Sequence, residues 1–413
     1  MDILGQYRDS DGYIRLQRKN PYLSLEPQKP SLKIRFSPNK SKEIILRHGH
    51  IAITDYHMGD NWEFEKFLSV WDKRCRKNRK QYGIHTIELY AKSLTYTDVQ
   101  KVIDHLVEDG SIQILKADPY NTDRYIKSTH FVSRGVRLRI YQSYDNSNGI
   151  GFIINPSTLL SGKYQPVKLW KPTPESVENM LECLSKIMEE MTLESVRPEE
   201  LSLSQIDLTT NIWYDEQTDI TRVIRQFWKG MIPRGFKRHI TRDNATRQHS
   251  FMMKNKTISL KAYDKIYELM KYNRCPEMLC NESVLRVELS LKREAFLKKL
   301  KMERSAPLRE MLLAGYKNGP NMITNYLKKL HPCGIKEVSY EEAKRRIEKN
   351  ICDSKLRNQM LYLLEKTSDC AGLDSAVSKL KKRYMSIDNR RVNKLFLEFK
   401  KLDISPITSA RIQ

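Results

Sequence analysis

Residues 204–213, SQIDLTTNIW, decide the reading, together with two later stretches of the same pattern, 257–268 (TISLKAYDKIYE) and 283–293 (SVLRVELSLKR). Each begins as an alternating run, the signature of a half-buried strand. In the first, Ile206, Leu208 and Ile212 oppose Asp207, Thr209 and Asn211. In the second, Ile258, Leu260 and Ala262 oppose Ser259, Lys261 and Tyr263. In the third, Leu285, Val287, Leu289 and Leu291 oppose Arg286, Glu288 and Ser290. Side chains alternate across a strand. Each apolar row can therefore face a core while Asp207, Tyr263 and Glu288 sit on the polar side. If the strands are neighbours, two carboxylates and a tyrosine share one sheet face.

That set suits metal-assisted phosphodiester transfer. Two carboxylates can hold a hard divalent cation, Mg²⁺ or Mn²⁺, alongside substrate phosphate oxygens. The cation offsets charge building on the scissile phosphate. A tyrosine hydroxyl, with a pKa of about 10, is a weak nucleophile at neutral pH. A nearby cation, the metal or Lys265, would favour the phenolate. Attack would leave a protein–DNA phosphotyrosine and a free sugar hydroxyl. Solvated carboxylates and packing tyrosines are common on strands, and the chain has 21 tyrosines. Alternation alone therefore leaves a purely structural reading open.

The three stretches, in this order, resemble the core of the gene II/X family of phage and plasmid replication initiators. The matching residues are Ile206-Asp207-Leu208-Thr209, then Ala262-Tyr263-Asp264-Lys265, then Leu285-Arg286-Val287-Glu288. Upstream, Asn155-Pro156-Ser157-Thr158-Leu159-Leu160-Ser161-Gly162 is similar to a short turn of that family. The likeness runs from about Ile84 to the C-terminus. It implies that the covalent nucleophile is Tyr263 and that the acidic positions are Asp207 and Glu288, which chemistry assigns to the metal.

Composition agrees with a nucleic-acid partner. The 413-residue chain carries 73 Lys and Arg against 50 Asp and Glu, a net charge of +23. Such an excess favours polyanions through counterion release. A hydrophobic content of 39% supports real cores, and the length suits two or three domains. No apolar run approaches the roughly 20 residues of a membrane helix, and the first residues lack a secretory core. A soluble, cytoplasmic protein is expected, with no membrane partner. Seven cysteines with no Cys-x-x-Cys suggest reduced thiols rather than a disulfide frame or zinc site.

Residues 1–81 read as a basic N-terminal extension with short strand-like runs, a helix from Trp62 to Cys75 and a basic run at 73–80. His48-Gly49-His50 and His57 read as structural rather than as metal ligands. Residues 82–300 read as the catalytic domain. It opens on the strand His85-Thr86-Ile87-Glu88-Leu89-Tyr90, followed by a helix capped by Thr97 and strands at 130–132, 136–144 and 150–155. A helix over 174–192 leads into the Asp207 strand. Between the Asp207 and Tyr263 strands, a loop carries Arg234, Lys237, Arg238, Arg242 and Arg247 among aromatics. With Lys261 it reads as a clamp for single-stranded DNA, or else as a surface hairpin. The period lengthens after Ala262, so a helix starting near Tyr263 would place Tyr267 one turn away, a candidate second nucleophile. Lys265 would then contact phosphate or activate the nucleophile, unless it simply faces solvent.

Residues 301–413 read as an all-helical C-terminal domain, with helices at 307–316, 322–329, 340–350, 354–366, 373–382 and 390–402. The last two, joined by RYMSIDN, resemble a helix-turn-helix for double-stranded origin DNA, or else a bundle packed on the catalytic domain. No internal repeat or low-complexity segment stands out. The expected fold class is α+β, an antiparallel sheet with helices on one face and the other left for DNA, as in rolling-circle nicking domains. The expected function is a rolling-circle initiator. It would leave a 5′-phosphotyrosine and a 3′-OH primer for a host polymerase. The chain has no Gly-x-x-x-x-Gly-Lys-Ser/Thr phosphate loop, so helicase action would come from the host. A conjugative relaxase and a non-catalytic copy-number or transcription regulator are the alternatives.

Overall fold

The computed structural model describes residues 4–8, 14–18, 33–35 and 43–45. From residue 75 onward it describes all but 93, 109–111, 119–120, 144–147, 192, 194–195, 240–247, 337, 371 and 409–413. The chain divides into two units. The first holds two antiparallel hairpins, β1 (Leu4–Arg8) with β2 (Ile14–Arg18) and β3 (Lys33–Arg35) with β4 (Glu43–Ile45). The histidines at 48, 50 and 57 and the helix expected from residue 62 lie outside the described residues, as do positions 73 and 74 of the basic run; its remainder opens a strand.

From Cys75 onward, all but Lys77–Lys80 in the second unit, the chain runs β5 (Cys75–Ala91), α1 (Tyr96–Glu108), β6 (Ile112–Asp118), β7 (Asn121–Ser128), β8 (Val136–Gln142), β9 (Gly149–Ile154), α2 (Pro156–Ser161) and α3 (Pro174–Glu190). It continues through β10 (Ser202–Tyr214), α4 (Gln217–Lys229), β11 (Lys237–Arg238), β12 (Ser250–Lys254), β13 (Ile258–Asp264), α5 (Lys265–Lys271), β14 (Ser283–Lys292), α6 (Arg293–Leu300) and α7 (Leu308–Leu330). Four further helices follow: α8 (Tyr340–Asn350), α9 (Ser354–Asp369), α10 (Leu373–Arg383) and α11 (Asn389–Lys401). No described helix is long and apolar enough to cross a membrane.

The ten strands from β5 onward form one sheet in the order β11-β12-β13-β14-β10-β5-β9-β8-β7-β6. The sheet is doubled. Each half starts with a strand, crosses a 13-residue helix (α1 or α4), adds four strands and ends in two helices; only α5 is extra. In each half the last strand pairs with the first, and the halves meet at β5 and β10. The ladders match: Leu89, Phe152 and Leu138 lie side by side as Leu208, Leu289 and Leu260 do. A repeat that the sequence did not show is thus present in the topology.

The three deciding stretches are neighbouring antiparallel strands, β10-β14-β13. Their apolar rows pack on α4, α6 and α7 in the main core. The polar rows are covered too: Asp207 is 8% and Glu288 4% exposed. The expectation that helices keep to one face fails at α5. Its Ile266 and Leu269 pack with Trp213 and Val284, which lie on the polar side, in a small separate core. That helix walls one end of the polar face.

Elsewhere the elements differ in detail from expectation. Thr95 and Asp98, rather than Thr97, exchange the capping hydrogen bonds of α1. Where a strand was expected at 130–132, the chain turns at 130–131 and enters a 3-10 helix, Val132–Arg134. The helices expected at 307–316 and 322–329 are one helix, α7, which runs through Pro320. Proline has no N–H for the carbonyl four residues back. Here that carbonyl, Tyr316 O, accepts a 3.0 Å hydrogen bond from Tyr82 Oη. Gly319 makes the approach possible, since a Cβ there would lie 1.9 Å from Tyr82 Oη. Gly319→Ala is therefore expected to destabilise the protein. Helix propensity favours alanine by about 1 kcal/mol, but overpacking costs about 1–3 kcal/mol and an orphaned buried carbonyl about 1–3 more. Chemical denaturation checks this; an unchanged or raised midpoint would refute the role given to Tyr82.

The boundary expected at residue 300 falls inside the main core, because Leu312, Ile323, Leu327 and Leu330 of α7 belong to it. A second core gathers buried residues from Cys333 to Ile407. Two side chains tie it to the sheet. Lys229 Nζ donates to the carbonyls of Ser368 (3.1 Å) and Cys370 (2.6 Å) at the end of α9, where a cation suits the helix dipole. Arg238 pairs with Asp374 at 2.6 Å.

Candidate active site

Asp207, Lys261, Tyr263 and Glu288 line one cavity of 520 Å³, a size typical of small-ligand sites. Cross-strand register explains the convergence. Glu288 stands between Thr209 and Lys261, Arg286 between Asn211 and Tyr263, and Ser290 between Asp207 and Ser259. Glu288 Oε1 accepts a 2.9 Å hydrogen bond from Tyr263 Oη and lies 3.1 Å from His85 Nδ1. His85 reaches the cavity because the buried row of β5 changes parity. Tyr82 and Ile84 are buried, then Ile87, Leu89 and Ala91, so His85 and Thr86 both face the cleft.

Burial and then the Glu288 charge push Asp207 up to about 6, against Lys261 and hydrogen bonds from Ser290 and Gln205. For Glu288, burial raises the pKa, but His85's hydrogen bond and the charges of Lys261 and Arg286 outweigh it and hold the carboxyl below its usual range. The phenol of Tyr263 is pushed well above its ordinary value, first by burial and then by Glu288; Arg286 opposes them. The cavity thus holds a neutral tyrosine beside an ionised carboxylate.

Lys265 is placed otherwise than expected. It is buried and bonded to Glu268, 5.9 Å from the centroid of the Tyr263 ring. Burial and then Arg286 lower its pKa. Tyr263 is the last residue but one of strand β13, and α5 begins two residues later with Asp264 capping Ile266 and Tyr267. Tyr263 and Tyr267 are therefore not one turn apart on a helix. Tyr267 still lines the cavity, its ring stacked on His249 at 3.8 Å.

Of the expected DNA contacts, Arg234 and Lys237 are exposed. Arg238 is half-buried and committed to Asp374 and the Gly230 carbonyl, so its guanidinium holds the fold together rather than facing DNA. Arg242 and Arg247 lie outside the described residues. Sequence reasoning missed His85, Gln205, His249 and the arginines Arg137 and Arg139 as cavity residues. It also gave no role to Arg286, the cation that faces Tyr263 across the ladder. Arg286 sits inside the quoted LRVE motif, and His85 opens the stretch HTIELY, which echoes SQIDLT; both signals were present.

Among the described residues, no group of three or more His, Cys, Asp or Glu is placed to hold a metal ion. The carboxylate pair Asp207 and Glu288 remains, close enough that one charge raises the other's pKa. Compared with known proteins, the chain matches no family model and no curated protein.

Proposed function

We propose that the chain is a rolling-circle replication initiator that nicks one DNA strand through Tyr263. The observation that carries this reading is the Tyr263 hydroxyl bonded to Glu288 in a cavity shared with Asp207. Tyr263 Oη would attack phosphorus, forming an Oη–P bond as the P–O3′ bond breaks. The sugar oxygen takes up a proton and leaves as the 3′-OH that primes a host polymerase. The 5′-phosphotyrosine stores the bond for religation, while a host helicase opens the duplex. Glu288 Oε1 already accepts a hydrogen bond from the hydroxyl, and Arg286 favours the phenolate. Asp207 and Glu288 would hold Mg²⁺ or Mn²⁺, which binds through one or two carboxylates plus phosphate oxygens. Their mutual repulsion is what such a cation relieves. When bound, it would offset charge on the scissile phosphate.

A second reading, a DNA-binding regulator, draws on α10 and α11. From residue 379 to 401 they and their turn carry nine Lys and Arg (379, 381, 382, 383, 390, 391, 394, 400, 401) against Asp388 and Glu398. Arg390, Asn393 and Lys394 are exposed on α11, a face suited to double-stranded origin DNA.

The test uses supercoiled DNA carrying the element's own origin. With Mg²⁺ or Mn²⁺ the protein is expected to give nicked circles with protein on the 5′ end, and EDTA to abolish them. The cation requirement should steepen as pH falls through about 6, where Asp207 takes up a proton. Binding without cutting under either metal would sink the initiator reading and favour the regulator.

A further inference from the structure

The doubled sheet gives the cavity positions on β10, β13 and β14 counterparts in the first half. Strand β8 reads VRLRIYQ where β13 reads ISLKAYD, and β5 carries TIELY where β10 carries QIDLT. The ladders align these residue by residue. Arg139 opposes Gly151, which opposes Tyr90, as Lys261, Glu288 and Thr209 do. Arg137 and Glu88 flank Ile153 as Ser259 and Asp207 flank Ser290. Tyr141 opposes Gly149 as Tyr263 opposes Arg286. The first half therefore keeps an acid, a cation and a tyrosine, but glycines stand where Glu288 and Arg286 do the chemistry.

Those glycines make room for an aromatic floor. A Cβ on Gly149 would lie 2.0 Å from Tyr90 Oη, and one on Gly151 3.7 Å from Tyr90 Cδ2. The Tyr90 ring thus crosses both glycines, next to Tyr141. Both rings are half-buried, with one part in solvent. Arg137 and Arg139 are exposed and line the Tyr263 cavity. Glu88 holds Arg139 in place at 3.0 Å; Arg137 has no acidic partner among the described residues. Cations beside half-exposed aromatic rings are what a single strand requires, phosphates on the charges and bases on the rings.

We propose that the first half of the sheet is a non-catalytic platform for single-stranded DNA. Arg137 and Arg139 take backbone phosphates, and Tyr90 and Tyr141 stack bases of the strand whose next phosphate enters the Tyr263 cleft. The orientation of the strand in that cleft rests on the initiator reading; the platform itself is tested by binding alone.

The probe is a fluorescein-labelled 20-mer of thymidylate, titrated by anisotropy against the full chain carrying Tyr263→Phe, without metal, over a range of salt. Arg137→Gln is expected to lower the slope of log K against log salt by about 0.7, one phosphate contact on a single strand. Tyr141→Ala is expected to weaken binding about ten- to a hundredfold, and Tyr141→Phe to restore it. Parent-like affinity and slope in Arg137→Gln and Tyr141→Ala overturn the platform, as does a parent that does not bind the oligonucleotide. Loss of affinity in Tyr141→Phe equal to that in Tyr141→Ala overturns the stacking role. If the platform fails while the wild type still nicks its origin, the initiator reading stands. If both variants weaken binding while the wild type never nicks, the platform stands and the initiator reading falls.

Discussion

Tyr263→Phe is expected to bring origin nicking and the covalent 5′ adduct down by about four orders of magnitude or more, the scale on which removal of a nucleophile acts. The substitution removes one oxygen and keeps the ring. Glu288 Oε1, which loses the tyrosine as donor, still has His85 Nδ1 at 3.1 Å. The cost to stability is therefore small, about 1 kcal/mol, and origin binding should survive. That separation of binding from cutting makes the result informative. Nicked circles and protein-linked 5′ ends, measured beside a mobility shift, report both. Nicking that persists in the variant would move the nucleophile, and Tyr267, which lines the same cavity, would be tested next.

The second large effect is expected at Arg286. Its side chain is fully buried. Nε donates to Asn211 Oδ1 at 2.7 Å and Nη2 to the Pro166 carbonyl at 2.8 Å. Arg286→Met keeps much of the volume and deletes the charge and both bonds. Each orphaned acceptor costs about 1–3 kcal/mol, and breaking a buried charged network costs about 3–5 kcal/mol. A loss of about 3 kcal/mol in chemical denaturation is the expected outcome. The guanidinium also pulls the Tyr263 phenol down against burial and Glu288. Without it the phenol ionises at higher pH, so the nicking rate should rise to its plateau at more alkaline pH than in wild type. A variant with unchanged stability and an unchanged profile would remove Arg286 from both roles.

The central strands and their partners were legible because a period of two is a local property. SQIDLTTNIW, SLKAY and VLRVELSL announce strands, and the shared polar row follows from them. Burial of that row was not legible, since it depends on α5 folding back over the face. The site of the helix start turned on Asp264, whose capping bonds place Tyr263 in the strand. Two helices were expected on either side of Pro320; Tyr82, over two hundred residues away, supplies the missing donor that lets one helix run through. Arg238 looked like a DNA contact among other loop cations, and its partner, Asp374, lies in helix α10, 136 residues on. Contacts of that separation leave no trace in a local pattern. The repeat escaped notice for a related reason: only short strips of strand match, and the helices and loops between them differ.

The doubled sheet has a meaning for ancestry. Two copies of one unit, related as the halves are here, would as separate chains form a symmetric pair with two equivalent reactive centres. Such a pair would treat the two strands of a palindrome alike and cut both. Joining the copies in one polypeptide frees them to diverge. Glycines in one half stand where the other has Glu288 and Arg286, so on the initiator reading proposed above one half would be the blade and the other the grip.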